Sequence, residues 1–509
     1  MDMRVPFSSS SLGLLALIAA TTLLLVAFIQ RATAKRRALD NFPLVNTPAW
    51  YDVFGLRAKL SFVLSARDLL AQGVRSGKPF RLLTDLGEMI VLPSKYANEI
   101  RSDPRLSFAE VIEQNFHAEL PGFEGFRQGT TDARLTRDIA NKQLTHSLAG
   151  VTEALSEEAE SSLSALFPPS KDWTEVDLRE KVLQLIARLS SRVFLGMEGP
   201  KNDAWIKITT DYTKEAYIAA YILRLWPRRI RPFAQWFLLP CRNLRVQVDK
   251  ARRIVDDIVA RRRESKSSES GNTFNDAIAW FEQDTKDQNG GYDPVVAQLV
   301  LAQAAIETTT DLLTQTILDI ATYSDVLVEP LRAEIQGVLG EAGWKKSSLY
   351  DMKLLDSVLK ESQRLKPLAM TSMHRLVLAD ITLSDGLLLP KGSVIGVSGD
   401  RMWEDTVHEN ASQFDGFRFY NRRSIPGSIG NQAHFVSTGV DHLAFGHGKH
   451  ACAGRFFVAH EAKIVLSHML LKYDWKIDTA SAASTKPINF GLTMMANPKA
   501  KIVIRQREV

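Results

Sequence analysis

Cysteine is almost missing from this chain: Cys241 and Cys452 are the only two in 509 residues. That excludes a disulfide framework and predicts a reducing compartment, where a thiol stays free for other chemistry. A charge excess of one sign is missing as well, since 63 basic residues stand against 58 acidic ones for a net charge of +5. Nucleic acid is therefore not an expected partner, and so diffuse a balance fits an anionic membrane surface or an acidic redox partner equally. No Pro-, Gly- or Ser-rich linker parts the body of the chain. With 45% hydrophobic residues it can bury a large core, and its length would ordinarily suggest two or three domains.

Charge is also absent from Leu12–Ile29, which Arg31, Lys35, Arg36 and Arg37 follow at once. As a helix that run spans about 27 Å, close to the hydrocarbon thickness of the endoplasmic reticulum bilayer. The basic excess on its C-terminal side predicts a single-pass anchor with the bulk of the chain in the cytoplasm. A cleaved signal peptide is the rival reading, because Ala32-Thr33-Ala34 offers small residues, but the run is long for one. Pro43 and Pro48 then suggest a short stiff stretch. The organisation read from this is an anchor at 1–30, a basic and proline-containing hinge at 31–50, and the body of the chain at 51–509.

What is present begins with Phe445-Gly446-His447-Gly448-Lys449-His450-Ala451-Cys452-Ala453-Gly454-Arg455, a cysteine on a glycine-loosened loop ahead of an apolar helical run. A thiolate is a strong soft-metal ligand. Proximity to a helix start and to Lys449, His450 and Arg455 predicts a lowered thiol pKa. Glycines let backbone come close under a flat ligand and turn N–H groups toward the sulfur. The alternative is a buried free cysteine in a turn.

Phe445, Gly448, His450, Cys452 and Gly454 match F-x-x-G-x-[RH]-x-C-x-G, so the loop resembles the heme-ligand signature of the cytochrome P-450 family. Two further stretches resemble that family in its own order. Ala304-Ala305-Ile306-Glu307-Thr308-Thr309 resembles A-G-x-[DE]-T-[TS], with Ala305 in place of the usual glycine. It lies in a mostly apolar helix that Asp293-Pro294 should start and that should run to about Ser324. Glu361 and Arg364, three apart in 353–367, resemble E-x-x-R, with Arg418 as the later arginine, although Gly416 stands where proline is usual.

The resemblance implies a mainly α fold with small β-sheets, the cytochrome P-450 fold, with 51–509 as one heme-thiolate catalytic domain joined here to one N-terminal transmembrane helix. It implies heme b, iron protoporphyrin IX, as cofactor with Cys452 as the iron's axial ligand. It further implies O2 as co-substrate and monooxygenation of a lipophilic small molecule, with electrons from NADPH through NADPH-cytochrome P-450 reductase at the endoplasmic reticulum membrane. Small Ala304 and Ala305 would leave room for dioxygen, Thr308 would hold a water, and Glu307 would relay protons. The alternative is a threonine bonded back to its own helix and an acid on a solvated strip. Arg375 and His450 would meet the heme propionates as cations. Glu361, Arg364 and Arg418 would be a structural cluster.

The stretch from Phe435 to Trp475 resembles filamentous-fungal oxidases of terpenoids, including ent-kaurene oxidases and enzymes of indole-diterpene and meroterpenoid pathways. By the same resemblance the pocket would be lined from 107–130, Tyr217 and Tyr221, Leu368–Thr371 and Leu492–Met494, residues that ordinary core packing would equally explain. Two other classes stay open: a relative that rearranges an oxygenated substrate without O2, against which Glu307-Thr308 argues, and a membrane heme sensor or carrier.

Elsewhere, periodicity predicts helices at about 151–166, 174–196, 203–226 and 242–263. It predicts strands at Phe80–Thr84, Glu88–Leu92 and within His374–Ser398. Arginines interleaved with Trp and Phe between Ile222 and Pro240 read either as a membrane-lying patch or as an ordinary interhelical loop. Glu264–Thr273 and 283–291 read as solvated insertions.

Overall fold

The structure, a computed structural model, describes residues 39–52, 56–127, 137–267, 274–285 and 292–508. The expected anchor at Leu12–Ile29 and most of the polar insertions lie outside them. Among the described residues no helix is long and apolar enough to cross a membrane. Residues 43–46 of the proline segment are seated against the first strand: Val45 N–H donates to Arg81 O at 3.0 Å and Arg81 N–H to Pro43 O at 2.8 Å.

Along the chain run α1 (Leu56–Val74), β1 (Phe80–Thr84), β2 (Gly87–Leu92), β3 (Leu106–Ser107), α2 (Phe108–Phe116), α3 (Thr145–Leu166), β4 (Thr174–Asp177), α4 (Leu178–Phe194), α5 (Asp203–Arg224) and α6 (Leu239–Ser267). The second half carries α7 (Pro294–Thr322), α8 (Ser324–Ala342), α9 (Lys353–Leu365), β5 (Thr371–Val377), β6 (Val394–Ser398), α10 (Arg455–Lys472), β7 (Tyr473–Ile477), β8 (Ile488–Phe490), β9 (Thr493–Met495) and β10 (Lys501–Gln506). Shorter helical turns lie between these elements. The expected mainly helical architecture with small sheets is observed.

α7 is the axis. Asp293 caps it as its sequence predicts, with Oδ1 accepting from the N–H groups of Val295 at 2.9 Å and Val296 at 3.3 Å. It packs against α4, α5, α6, α9 and α10, which explains why most of it is buried. Two of its inward threonines bond locally, Thr314 donating to Thr310 O at 2.7 Å and Thr316 to Leu312 O at 2.9 Å, whereas the buried hydroxyls of Thr309 and Thr310 have no partner among the described residues.

The larger sheet has the order β1-β2-β6-β5-β3, with only β2 and β6 parallel. Its β5–β6 ladder shifts register between Ser372 and Arg375, where Met373 takes a φ of 53°, so the pairing is interrupted just ahead of Arg375. A second sheet, β4-β10-β7, corrects one expectation. Residues 174–177 are a strand and not the start of a helix, because Thr174–Asp177 pair with Lys501–Ile504 from the far end of the chain.

Candidate active site

The cysteine loop is built by close approach. Gly448 takes a φ of +77°, and a Cβ there would stand 2.4 Å from Arg101 Cβ, so both conformation and contact demand glycine. Lys449 N–H donates to Arg101 O at 3.2 Å, and His447 bridges Thr438 at 3.1 Å and Asn98 at 3.0 Å. Cys452 N–H closes the loop on Phe445 O at 2.8 Å. Its carbonyl takes the Arg455 guanidinium at 2.8 Å. The N–H groups of Gly454 and Arg455 are directed at the sulfur, the arrangement expected from the glycine content.

The direction of the thiol pKa is a correction. Burial pushes it up, and the two backbone N–H groups and the Arg455 charge offset this only in part. Lys449 and His450 are not among the groups that act on the sulfur. Loss of hydration outweighs the dipole, so the free thiol is protonated at neutral pH, and a bound cation would have to displace the proton.

Three features fit a planar, anionic, metal-bearing group here. Cys452 has exposed surface although its surroundings desolvate it, so it borders an interior space rather than bulk water. A Cβ on Gly454 would meet no atom within 4 Å, so the chain leaves volume free beside the loop. Arg375 is 4% exposed, yet its partners are only His374 O at 2.7 Å and the Phe108 ring at 5.4 Å. No carboxylate faces it among the described residues, and burial pushes its pKa down to about 10. A buried cation without a counter-ion calls for an anion such as a heme propionate.

His450 sits close enough to feel Arg375, Arg137 and Lys449. Burial first, then those charges, lower its pKa to about 4. It is therefore a neutral imidazole able to give one hydrogen bond, and not the cation expected from sequence.

The middle of α7 carries the other half of the site. Ala304 is exposed and Ala305 half-buried, whereas Leu301, Ala302, Gln303 and Ile306 around them are buried. A gap in the packing therefore opens onto these small side chains. Thr308 donates to Ala304 O at 2.9 Å, the local bond kept open as an alternative, which commits its proton and leaves its oxygen lone pairs free to accept.

Glu307 is not on a solvated strip: its Oε2 takes Arg179 Nη2, from the first turn of α4, at 2.6 Å. It also faces Tyr217, whose phenol burial and the Glu307 charge push up to about 12. Tyr217 meets Phe116 and Phe126 edge-on at 5.5 and 5.6 Å, and Tyr221 meets Phe490 at 5.4 Å, forming an aromatic wall beside the acid.

Of the other expected lining residues, Leu368 is exposed and Ala369 bridges Thr493. Met370 and Met494 are corrections, since both pack into the core with Phe62 and Leu82.

Glu361, Arg364 and Arg418 come together. Arg364 grips Glu361 with two bonds of 2.8 and 2.7 Å, and Arg418 Nε reaches the same carboxylate at 3.0 Å. The two guanidinium groups also take the carbonyls of Met402, Glu409, Asn410, Ala411 and Gln413, which shapes the chain between β6 and the cysteine loop. Gly416 replaces proline because Leu327 and Val358 occupy the space, with a Cβ there only 2.6 Å from Leu327 Cδ2. Arg179 and Arg137 were not anticipated, and no local spacing marks either.

A thiol loop, a helix opened at two alanines and a buried guanidinium awaiting an anion define a heme-thiolate site. The chain belongs to the cytochrome P450 family, whose profile, Cytochrome P450, matches residues 117–504. It is therefore an oxygen-incorporating oxidoreductase with heme b as cofactor, acting with an electron-transfer partner on a lipophilic substrate. It is 45% identical to cytochrome P450 monooxygenase 1 of Gibberella fujikuroi over 435 residues, covering 85% of this chain and 98% of that protein. It is 43% identical to cytochrome P450 monooxygenase hepE of Aspergillus oryzae, covering 92% and 86%. For cytochrome P450 monooxygenase TRI1 of Fusarium sporotrichioides the identity is 38%, again over 92% and 86%. Retinoic acid bound cyanobacterial CYP120A1 superposes with a TM-score of 0.66 at 16% identity, covering 88% of this chain and 96% of that one, a likeness of fold.

Proposed function

We propose that this chain is a monooxygenase of secondary metabolism that oxidises a greasy polycyclic intermediate, terpenoid or meroterpenoid, with electrons from NADPH through cytochrome P450 reductase. The observation that carries the reading is the aromatic wall of Phe116, Phe126, Tyr217, Tyr221 and Phe490 beside the Glu307–Arg179 pair. It offers an apolar aromatic surface with one acid at its edge. Bound heme b would supply dioxygen activation: with two electrons from the reductase and two protons, one oxygen atom would enter a C–H bond and the other would leave as water. Cys452 would hold the iron, the Gly454 and Arg455 N–H groups would moderate the sulfur's basicity, and Arg375 with His450 would take the propionates. Phe445 and Gly448 keep the loop in shape through the Cys452 N–H bond and the contact with Arg101.

Thr308, with its proton committed to Ala304 O, would accept from a water in the gap. Glu307, ion-paired with Arg179, would relay protons from solvent to that water. Glu307→Gln should lower product formation about a hundredfold while leaving the carbon monoxide spectrum intact and enlarging the solvent isotope effect. Full activity with an unchanged isotope effect would remove Glu307 from the relay.

The substrate class is tested with purified full-length protein, reductase, NADPH and 18O2. Substrate-induced spin-state shifts and singly labelled products are expected with ent-kaurene-type diterpenes and meroterpenoid precursors. Shifts with fatty acids, sterols or polyketides alone would replace the terpenoid reading by another lipophilic class. Absence of any substrate-dependent oxygen uptake would favour a non-oxygenating heme protein.

Placement on the cytoplasmic side of the endoplasmic reticulum, with residues 12–29 as anchor, belongs to the same proposal. Supporting it, Leu225, Ile230, Phe233, Trp236 and Phe237 are exposed, Phe237 at 89%, with arginines among them. Leu60 and Leu64 of α1 are exposed as well. The two groups adjoin, because α1 packs on β8 and Phe490 of β8 meets Tyr221 at the end of α5. Apolar and cationic side chains sharing a surface suit the headgroup region. In nanodiscs of brominated lipid, part of the tryptophan fluorescence should be quenched, and Trp226→Phe/Trp236→Phe should lose that part. Equal quenching in both proteins would return this stretch to an ordinary loop.

A further inference from the structure

Asp311 lies three residues beyond Thr308 on α7, about 4.5 Å further along the axis. Its carboxylate is 5% exposed and serves two distant segments. Oδ2 receives the ammonium of Lys366, itself 3% exposed, and Oδ1 accepts the Ala496 N–H at 2.8 Å. Those two partners are the roots of the segments read as lining the pocket. Lys366 precedes Leu368–Thr371, and Ala496 directly follows β9. Between the roots, the segments are stitched to each other: Met370 N–H donates to Leu492 O at 2.8 Å, Met494 N–H to Leu368 O at 2.9 Å, and Ala369 bridges Thr493.

We propose that the buried Asp311–Lys366 pair is a positioning device, which holds these two stitched segments at one fixed distance from α7 and so sets how a bulky substrate is presented beside Thr308. The reasoning is geometric. The segments are also tied elsewhere, Met370 O to Gly399 N–H, Thr371 to Ser398 and β9 to β8, but none of those bonds reaches α7. A single carboxylate on α7 that takes a cation from one segment and an N–H from the other fixes both to the helix at one point, with a direction set by the N–H bond. An apolar contact of equal volume would be as stable and would set no such direction. Met370 and Met494 face the core while Ala369 and Thr493 beside them are half-buried, so a movement of the segments against α7 would change which side chains border the gap.

This inference rests on the reading of 368–371 and 492–495 as pocket wall, and the test separates the two. Full-length ferric protein is titrated with imidazole, small enough to need only the iron, and with clotrimazole, which must fill the pocket, each followed by the optical shift of nitrogen ligation. Asp311→Asn keeps an acceptor for Ala496 and drops the charge, and Lys366→Met removes the cation. Because either alone leaves a buried charge unpaired and risks misfolding, the decisive protein is the neutral double variant Asp311→Asn/Lys366→Met.

In the double variant we expect wild-type melting and carbon monoxide spectrum, imidazole affinity within about twofold, and clotrimazole affinity changed by about tenfold or more, equivalent to about 1.4 kcal/mol. Unchanged clotrimazole affinity in a stable double variant would make the pair structural only and overturn the proposal. A parallel change in both azoles would also overturn it, by placing the effect at the iron. Leu368→Ala is the control on the wall itself: if it leaves clotrimazole binding unaltered, the lining assignment fails first.

Discussion

Cys452→Ala is expected to yield a folded chain whose reduced, carbon monoxide-treated spectrum lacks the thiolate-type Soret band and whose NADPH-dependent product formation is at background. The fold should survive because the loop is held by main-chain and neighbouring groups. The Cys452 N–H to Phe445 O bond, the Gly448–Arg101 contact and the His447 bridges need no sulfur. What is lost is the one soft anion in the site. The raised thiol pKa makes this sharper: with the proton held by burial, iron binding and proton release are a single event, so heme loading of the wild type should release a proton and that of the variant should not. A histidine-type band in both proteins, or a thiolate-type band that persists in the variant, would end the assignment of Cys452 and of every role proposed around it.

Glu361→Ala should have the largest effect on stability. The carboxylate is fully buried and carries Arg364 and Arg418 together, and it also accepts the Asp415 N–H at 3.1 Å. Removing it leaves two guanidinium groups buried without a charge partner, at a cost of about 3–5 kcal/mol, against a total stability of about 5–15 kcal/mol for a typical protein. Expression of heme-loaded protein should collapse, and any purified fraction should melt several degrees lower. Arg418→Met should be milder, since the two-bonded Glu361–Arg364 pair survives it and Glu361 keeps its partner. Equal melting temperatures for wild type and Glu361→Ala would show that hydration replaces the ion pairs, contrary to the burial. A loss of activity without loss of stability would contradict the structural role.

Much of the site was legible because its parts are short and local. Three glycines and a cysteine on an eleven-residue loop, an aspartate and proline at a helix start, and an acid three residues before an arginine each depend on chain geometry over a turn or two. All three stretches took the expected local form. Arg418 was found despite the missing proline, because a guanidinium near that offset reaches Glu361 whichever residue makes the turn.

The misreadings share one cause. Thr174–Asp177 has helical neighbours, but its conformation is decided by β10, more than 300 residues later. The partner of Glu307 was not legible, because α4 brings Arg179 to it across 128 positions. Charges flanking Cys452 and His450 suggest a depressed thiol and a charged imidazole. Burial, which no spacing encodes, reverses the first and neutralises the second. Met370 and Met494 belong to the segments expected to line the pocket, yet packing against distant Phe62 and Leu82 turns both into the core.

The amino-acid order alone carried the resemblance that implied heme and Arg418, and it determined the axial helix and the Glu361–Arg364 pair, which follow from steric and bonding rules acting between near neighbours. Tertiary structure decided protonation states, the partner of the acid on α7 and the way two strands are tied to Asp311. Those depend on which surfaces lose water and which distant groups share the same small volume, and that is settled only when the whole core closes.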